Sequence, residues 1–162
     1  MSRSHRARGD APELYTPEQR ARRDGTMWTV VQGVLAPLQF FVFLVSLALV
    51  LRYLATGFGY EAATLSILVK TGVLLLIMVT GAIWEKVVFG QYLLAPAFFW
   101  EDVVSFFVIA LHLLYVFVLS TNFLPPSGQM AVALAAYLLY VINAAQFLLK
   151  LRAARLQGGV PA

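Results

Sequence analysis

Four apolar runs, each long enough to cross a bilayer, take up most of this 162-residue chain and leave it few ways to fold. They cover about residues 28–53, 61–88, 97–120 and 129–149, where a spanning helix needs ~20 residues. Hydrocarbon offers no partner to a backbone amide, so each run must satisfy its own hydrogen bonds as a helix. The chain is 60% hydrophobic and only 12% charged, whereas soluble domains carry ~25% charge. The predicted fold class is therefore all-α: a polytopic membrane protein built as a four-transmembrane-helix up-down bundle.

The polar remainder divides the chain. Residues 1–27 read as a basic cytoplasmic segment, 28–151 as the transmembrane domain, and 152–162 as a cytoplasmic tail, with no second domain. Residues 1–11 are too polar to offset the entropy of ordering, so disorder is expected there. Thr16-Pro17-Glu18-Gln19 then carries a Thr-x-x-Gln capping box with proline at the first helical position. It should open a short N-terminal interfacial helix, whose Arg20, Arg22 and Arg23 favour anionic headgroups. Turns are expected at Thr56-Gly57-Phe58-Gly59 and at Leu124-Pro125-Pro126-Ser127-Gly128.

Ten of the twelve Lys and Arg flank one side of the bundle, which by the positive-inside rule is cytoplasmic and holds both termini. The chain then crosses its membrane several times, with both termini on one side. The same rule and anionic lipid account for the basic charge, so nucleic acid is not an expected partner. The absence of cysteine excludes disulfides, thiolate metal sites and cysteine nucleophiles. No phosphate loop, His-x-x-x-His pair or Gly-x-Ser-x-Gly elbow is present either, and no cofactor or protein-bound metal is expected.

Carboxylates remain as candidate catalysts. Glu85, Glu101 and Asp102 fall on either side of the loop between the second and third spans, at similar depth at the cytoplasmic end. Glu85 lies near a helix C-terminus, where the dipole disfavours negative charge; Glu101 and Asp102 lie near an N-terminus, where it is favoured. The expectation is a protonated acid opposite ionised bases. The plainer alternative is that these carboxylates only end helices at the water line.

Gln32, Gln39 and Ser46, seven apart, form a seam on one face of the first span, and Asn143 and Gln146 add polar groups from the last. Glu101, Ser105 and His112 share a face of the third, which puts His112 deep in the bilayer. Gly72 and Gly81 read as close-packing points of the second span. Lys70, well inside that span, is expected to snorkel to the nearer surface rather than pair within the bundle.

Three longer stretches carry a resemblance. They are Gly81-Ala82-Ile83-Trp84-Glu85-Lys86, Phe89-Gly90-Gln91-Tyr92-Leu93 and Ala95-Pro96-Ala97-Phe98-Phe99-Trp100-Glu101-Asp102. With Leu14-Tyr15-Thr16-Pro17-Glu18, the run from Val31 to Phe40 and Leu111-His112, they resemble the 2-vinyl bacteriochlorophyllide hydratase family over about residues 14–152. The resemblance implies a small membrane enzyme, a hydro-lyase that adds water across the 3-vinyl group of chlorophyllide a. The product would be the 3-(1-hydroxyethyl) pigment on the way to bacteriochlorophyll a.

For that reaction Glu85 with Glu101 or Asp102 would serve as acid and base. Gln32, Gln39 and Asn143 would hold the water or a ring carbonyl, and Trp84, Phe98, Phe99 and Trp100 would wall the ring. Lys86 or an N-terminal arginine would meet the propionate, and His112 is a candidate axial ligand of the pigment's magnesium. The expected partners are the pigment, the bilayer and other pigment-biosynthesis enzymes. The competing readings are a non-catalytic tetrapyrrole carrier or assembly factor and a small transporter subunit using its intramembrane charges as a proton path.

Overall fold

The structure, a computed structural model, describes residues 13–158. Within them the chain forms five helices: α1 (Pro17–Gly25), α2 (Met27–Thr56), α3 (Tyr60–Phe89), α4 (Phe99–Thr121) and α5 (Pro126–Gly158). Among the described residues there is no strand. Helices α2 to α5 are each long and apolar enough to span a membrane, and only 22–28% of their most apolar windows is buried within the protein. Side chains such as Phe41, Phe107, Phe117 and Leu138 point outward. A water-soluble bundle would have to hide these faces, so the chain is a multi-pass membrane protein whose outer surface is matched to lipid.

The helix boundaries follow local chemistry. The capping box closes the start of α1: Gln19 N–H donates to Thr16 Oγ1 at 3.2 Å and Thr16 N–H to Gln19 Oε1 at 2.9 Å. Gly57 and Gly59, at φ +73° and +89°, let the chain reverse between α2 and α3 within three residues. Pro96 lies in the loop before α4, where contacts to α3 and α4 described below hold the chain. Helix α5 begins at Pro126 and runs past residue 149 through Lys150, Arg152 and Arg155. The expected disorder of residues 1–11 concerns positions outside the described residues.

Helix α2 pairs along its length with α3, and α4 with α5. The two hairpins touch each other much less, along α2/α5 and α3/α4. The main core fills this seam with Phe43, Ile67, Val108, Tyr115, Met130 and Tyr137. A second, smaller cluster sits at the end where α3 finishes and α4 begins. There Tyr15, just ahead of α1, is buried, stacked on Phe89 at 5.8 Å and packed against Phe98 at 6.4 Å. Leu14 N–H reaches Gln157 Oε1 at 3.3 Å, so the segment before α1 ties the two ends of the described chain together.

Two local expectations need correction. Gly81 does face a neighbour, with the Gln32 side chain 3.5 Å from where a Cβ would stand, but Gly72 is exposed with open space around it and packs nothing closely. Lys70 does not snorkel. Its side chain is fully buried between the hairpins, because π faces and an imidazole nitrogen await it there.

Candidate functional site

The bundle end between α3 and α4 gathers the carboxylates. Helix α3 stops at Gly90, which takes φ +85° and returns its N–H to Lys86 O at 3.0 Å. Beyond it Leu94 takes φ +59°, a conformation that costs a side-chain-bearing residue about 1–2 kcal/mol. Two hydrogen bonds to carboxyl oxygens offset that cost. Leu94 N–H donates to Asp102 Oδ2 at 2.7 Å, and Ala95 N–H donates to Glu85 Oε2 at 3.2 Å. The loop thus clamps one carboxyl from each helix.

The clamped groups are neighbours. Glu85 and Asp102 are buried, at 5% and 3% exposure, and the adjacent amides of Leu94 and Ala95 each hold one of their carboxyls. An ionised carboxylate only accepts, so two neighbouring carboxyls can bond each other only by sharing a proton. Placing two like charges side by side in a buried site is unfavourable.

Glu101 is held differently. Its Oε2 lies 2.7 Å from Lys150 Nζ on α5, and the same ammonium donates to Ala97 O. Asn143 Nδ2 donates to Glu101 O at 2.9 Å, and Ser105 Oγ bridges to Asn143 Oδ1 at 3.0 Å. Lys150, Asn143 and Ser105 together fix the first turn of α4, and with it the position from which Asp102 projects.

The remaining residues singled out in the sequence divide into three groups. Trp84 and Phe98 stand beside the carboxyls, with rings 5.7 Å apart, and join Tyr15, Phe89 and Phe147 in the aromatic cluster. Trp84 Nε1–H also donates to Thr29 Oγ1 at 2.9 Å. Phe99 and Trp100 form a T-shaped pair directed away from the cluster, and both are exposed. Lys86 is exposed too, donating to Gly90 O at 2.8 Å with the Tyr92 ring nearby.

Gln32 bonds Thr80 at 2.7 Å within the first hairpin, and Gln39 is buried on α2. Ser46 carries its seam across to α5 through a 2.5 Å hydrogen bond with Tyr137, and also contacts Ser66. His112 lies deep between the hairpins at 1% exposure. Its Nδ1–H donates to Val108 O at 2.7 Å, leaving Nε2 as the acceptor that faces Lys70 Nζ at 3.4 Å.

Sequence reasoning missed the pairing of Lys150 with Glu101, the docking of Tyr15 and the partners of Lys70. No periodicity links Lys150 to a residue 49 positions away. The mid-span position of Lys70 was visible, but its aromatic surroundings come from α2 and α5.

Comparison with known proteins agrees with the resemblance. The sequence profile of the 2-vinyl bacteriochlorophyllide hydratase family matches residues 15–153. A curated protein of Cereibacter sphaeroides named 2-vinyl bacteriochlorophyllide hydratase is 72% identical over 144 residues, covering 88% of this chain and 89% of its own. One of the same name from Rhodobacter capsulatus is 70% identical over 144 residues, covering 89% of this chain and 84% of its own. No solved structure matches the chain.

Proposed function

Because the chain belongs to the 2-vinyl bacteriochlorophyllide hydratase family, we propose that it is a hydro-lyase of bacteriochlorophyll a biosynthesis. It adds water to the 3-vinyl group of chlorophyllide a and yields the 3-(1-hydroxyethyl) pigment. The observation that carries a mechanism is the Glu85–Asp102 pair, buried and held side by side across the hairpin seam by the amides of Leu94 and Ala95.

The pair holds one proton, and hydration needs one. Glu85, at the C-terminal end of α3, keeps the proton, while Asp102, in the first turns of α4 and bonded by Leu94 N–H, is the better-stabilised anion. The Glu85 O–H protonates the terminal vinyl carbon, the π electrons forming the new C–H bond. The cation left on the adjacent carbon is delocalised into the macrocycle. A water oxygen attacks that carbon and gives its proton to Asp102. The pair then again holds one proton, so the cycle draws on no external acid. Glu101, paired with Lys150, positions α4 and keeps a compensated charge nearby. Trp84 and Phe98 supply flat apolar walls on the same end of the bundle, and Asn143, whose amide is engaged by Glu101 O and Ser105, steadies the first turn of α4.

The spans alternate in direction, α1 lies in the membrane interface, and the carboxyl end of the bundle faces the cytoplasm of a cell whose inner membrane holds the protein. Support comes from Arg20, Arg22, Arg23, Lys86, Lys150, Arg152 and Arg155, all set near that end, against Arg52 at the other. Reporter fusions at Ala162 and in the Pro125-Pro126 loop are expected to report opposite sides; the same side from both would remove the four-span arrangement. Product that never leaves the bilayer passes most directly to other membrane enzymes acting on the same pigment, which are the proposed partners. The function itself is tested by giving membranes that contain the protein chlorophyllide a. A hydratase returns pigment heavier by one water, and a carrier returns it unchanged.

A further inference from the structure

Three polar contacts inside this protein, none used by the hydration chemistry, cross from one hairpin to the other. Lys70 of α3 meets His112 of α4, Ser46 of α2 meets Tyr137 of α5, and Tyr60 of α3 bonds Gln129 of α5. Glu85 and Asp102 lie on the same α3/α4 seam, nearer its end. The hairpins are each closely paired internally and only lightly apposed, so the seam is where the bundle parts at least cost.

Within it, Lys70 Nζ has one acceptor among the described residues, His112 Nε2 at 3.4 Å. Otherwise it sees ring faces: Tyr140 at 3.8 Å, Tyr137 at 5.3 Å and Phe43 at 5.8 Å. A fully buried amine that leaves N–H donors facing only rings is an incompletely satisfied group. The imidazole opposite is already in the tautomer a metal requires. Its Nδ1–H is fixed on Val108 O and its Nε2 lone pair points into the seam, the arrangement by which a second-shell bond prepares a histidine ligand.

We propose that the flat pigment lies in the seam between the hairpins, and that Lys70 occupies the place on His112 Nε2 that the pigment's magnesium takes when substrate enters. This rests on the pigment reading of the function and locates its binding site. Ten residues separate Asp102 from His112 on α4, about 15 Å of helix. A macrocycle centred on the histidine covers only part of that distance, so this is its docking position, from which the ring moves along the seam to bring its vinyl edge to the carboxyls. The rings of Phe43, Tyr137 and Tyr140 become stacking surfaces for it, and the displaced Lys70 turns its free N–H groups to the oxygen substituents of the pigment.

The test measures binding of chlorophyllide a and of its magnesium-free form to the full chain in lipid nanodiscs, for wild type, Lys70→Met and His112→Phe. Wild type is expected to prefer the magnesium form by about tenfold or more, the range over which single metal-site contacts act. Lys70→Met removes the competitor and should tighten the magnesium form while leaving the metal-free form unchanged. His112→Phe suits an apolar helix and should bring the two affinities together. Equal binding of both pigments by wild type, which needs no variant to fold, overturns the proposal. So does a Lys70→Met protein in which both affinities change alike. Hydration assayed on the same samples separates the two readings: hydration without magnesium preference sinks this one alone, and magnesium-selective binding without hydration sinks the hydratase.

Discussion

Glu85→Gln and Asp102→Asn are each expected to slow hydration by about 10²–10⁴-fold, the usual worth of a general acid or base, while leaving a folded protein that still binds and accumulates the vinyl pigment. Both substitutions keep the shape of the side chain and an oxygen that accepts from the loop amides, so the Leu94 and Ala95 clamps survive. What they abolish is the proton exchange that the proposed mechanism assigns to the two carboxyls. Because the residues act as a unit, the double variant should be little worse than either alone. Run in heavy water, wild type should place solvent deuterium in the new methyl group. Full activity in both variants, or a product methyl free of deuterium, would sink the mechanism even with hydratase activity secure. Glu101→Gln is the internal control. Its oxygen still accepts from Lys150, so its rate loss should be smaller than that at Glu85.

Lys150→Met should be the most destabilising single change at this end of the bundle. It strips Glu101 of its counter-ion and leaves Ala97 O without its donor, while the Glu101 carboxylate stays 8% exposed. Breaking such a pair costs about 3 kcal/mol, the low end for buried ions because the Lys150 side chain is itself 27% exposed. Thermal unfolding in detergent would read this as a lowered midpoint. The diagnostic is the pair: Lys150→Met with Glu101→Gln together should recover part of the loss, since the penalty is an unpaired charge and not a missing contact. A strictly additive double variant would show that the ion pair contributes nothing and that Lys150 acts by packing alone.

These expectations draw unequally on sequence and structure. The four spans were legible because hydrocarbon leaves a helix as the only solution for an apolar run of that length, and the turn at Gly57 to Gly59 because positive φ there demands glycine. The Thr16 capping box was legible for a similar reason, since every atom it uses lies within four residues. Glu85, Glu101 and Asp102 stood out because charge is rare in such a chain, and the long motifs around them named the family. Tertiary structure alone decided which carboxyl meets which. Nothing in their spacing distinguishes Glu101 from Asp102, but adjacent helix residues project about 100° apart, so one turns toward α3 and Glu85 while the other turns toward Lys150 on α5. The same geometry sends Phe98 into the core and Trp100 toward lipid. It also decided the fate of Lys70: a lone lysine in an apolar run reads as a side chain that must escape to water, and only the convergence of Phe43, Tyr137, Tyr140 and His112 from three other helices gives it reason to stay.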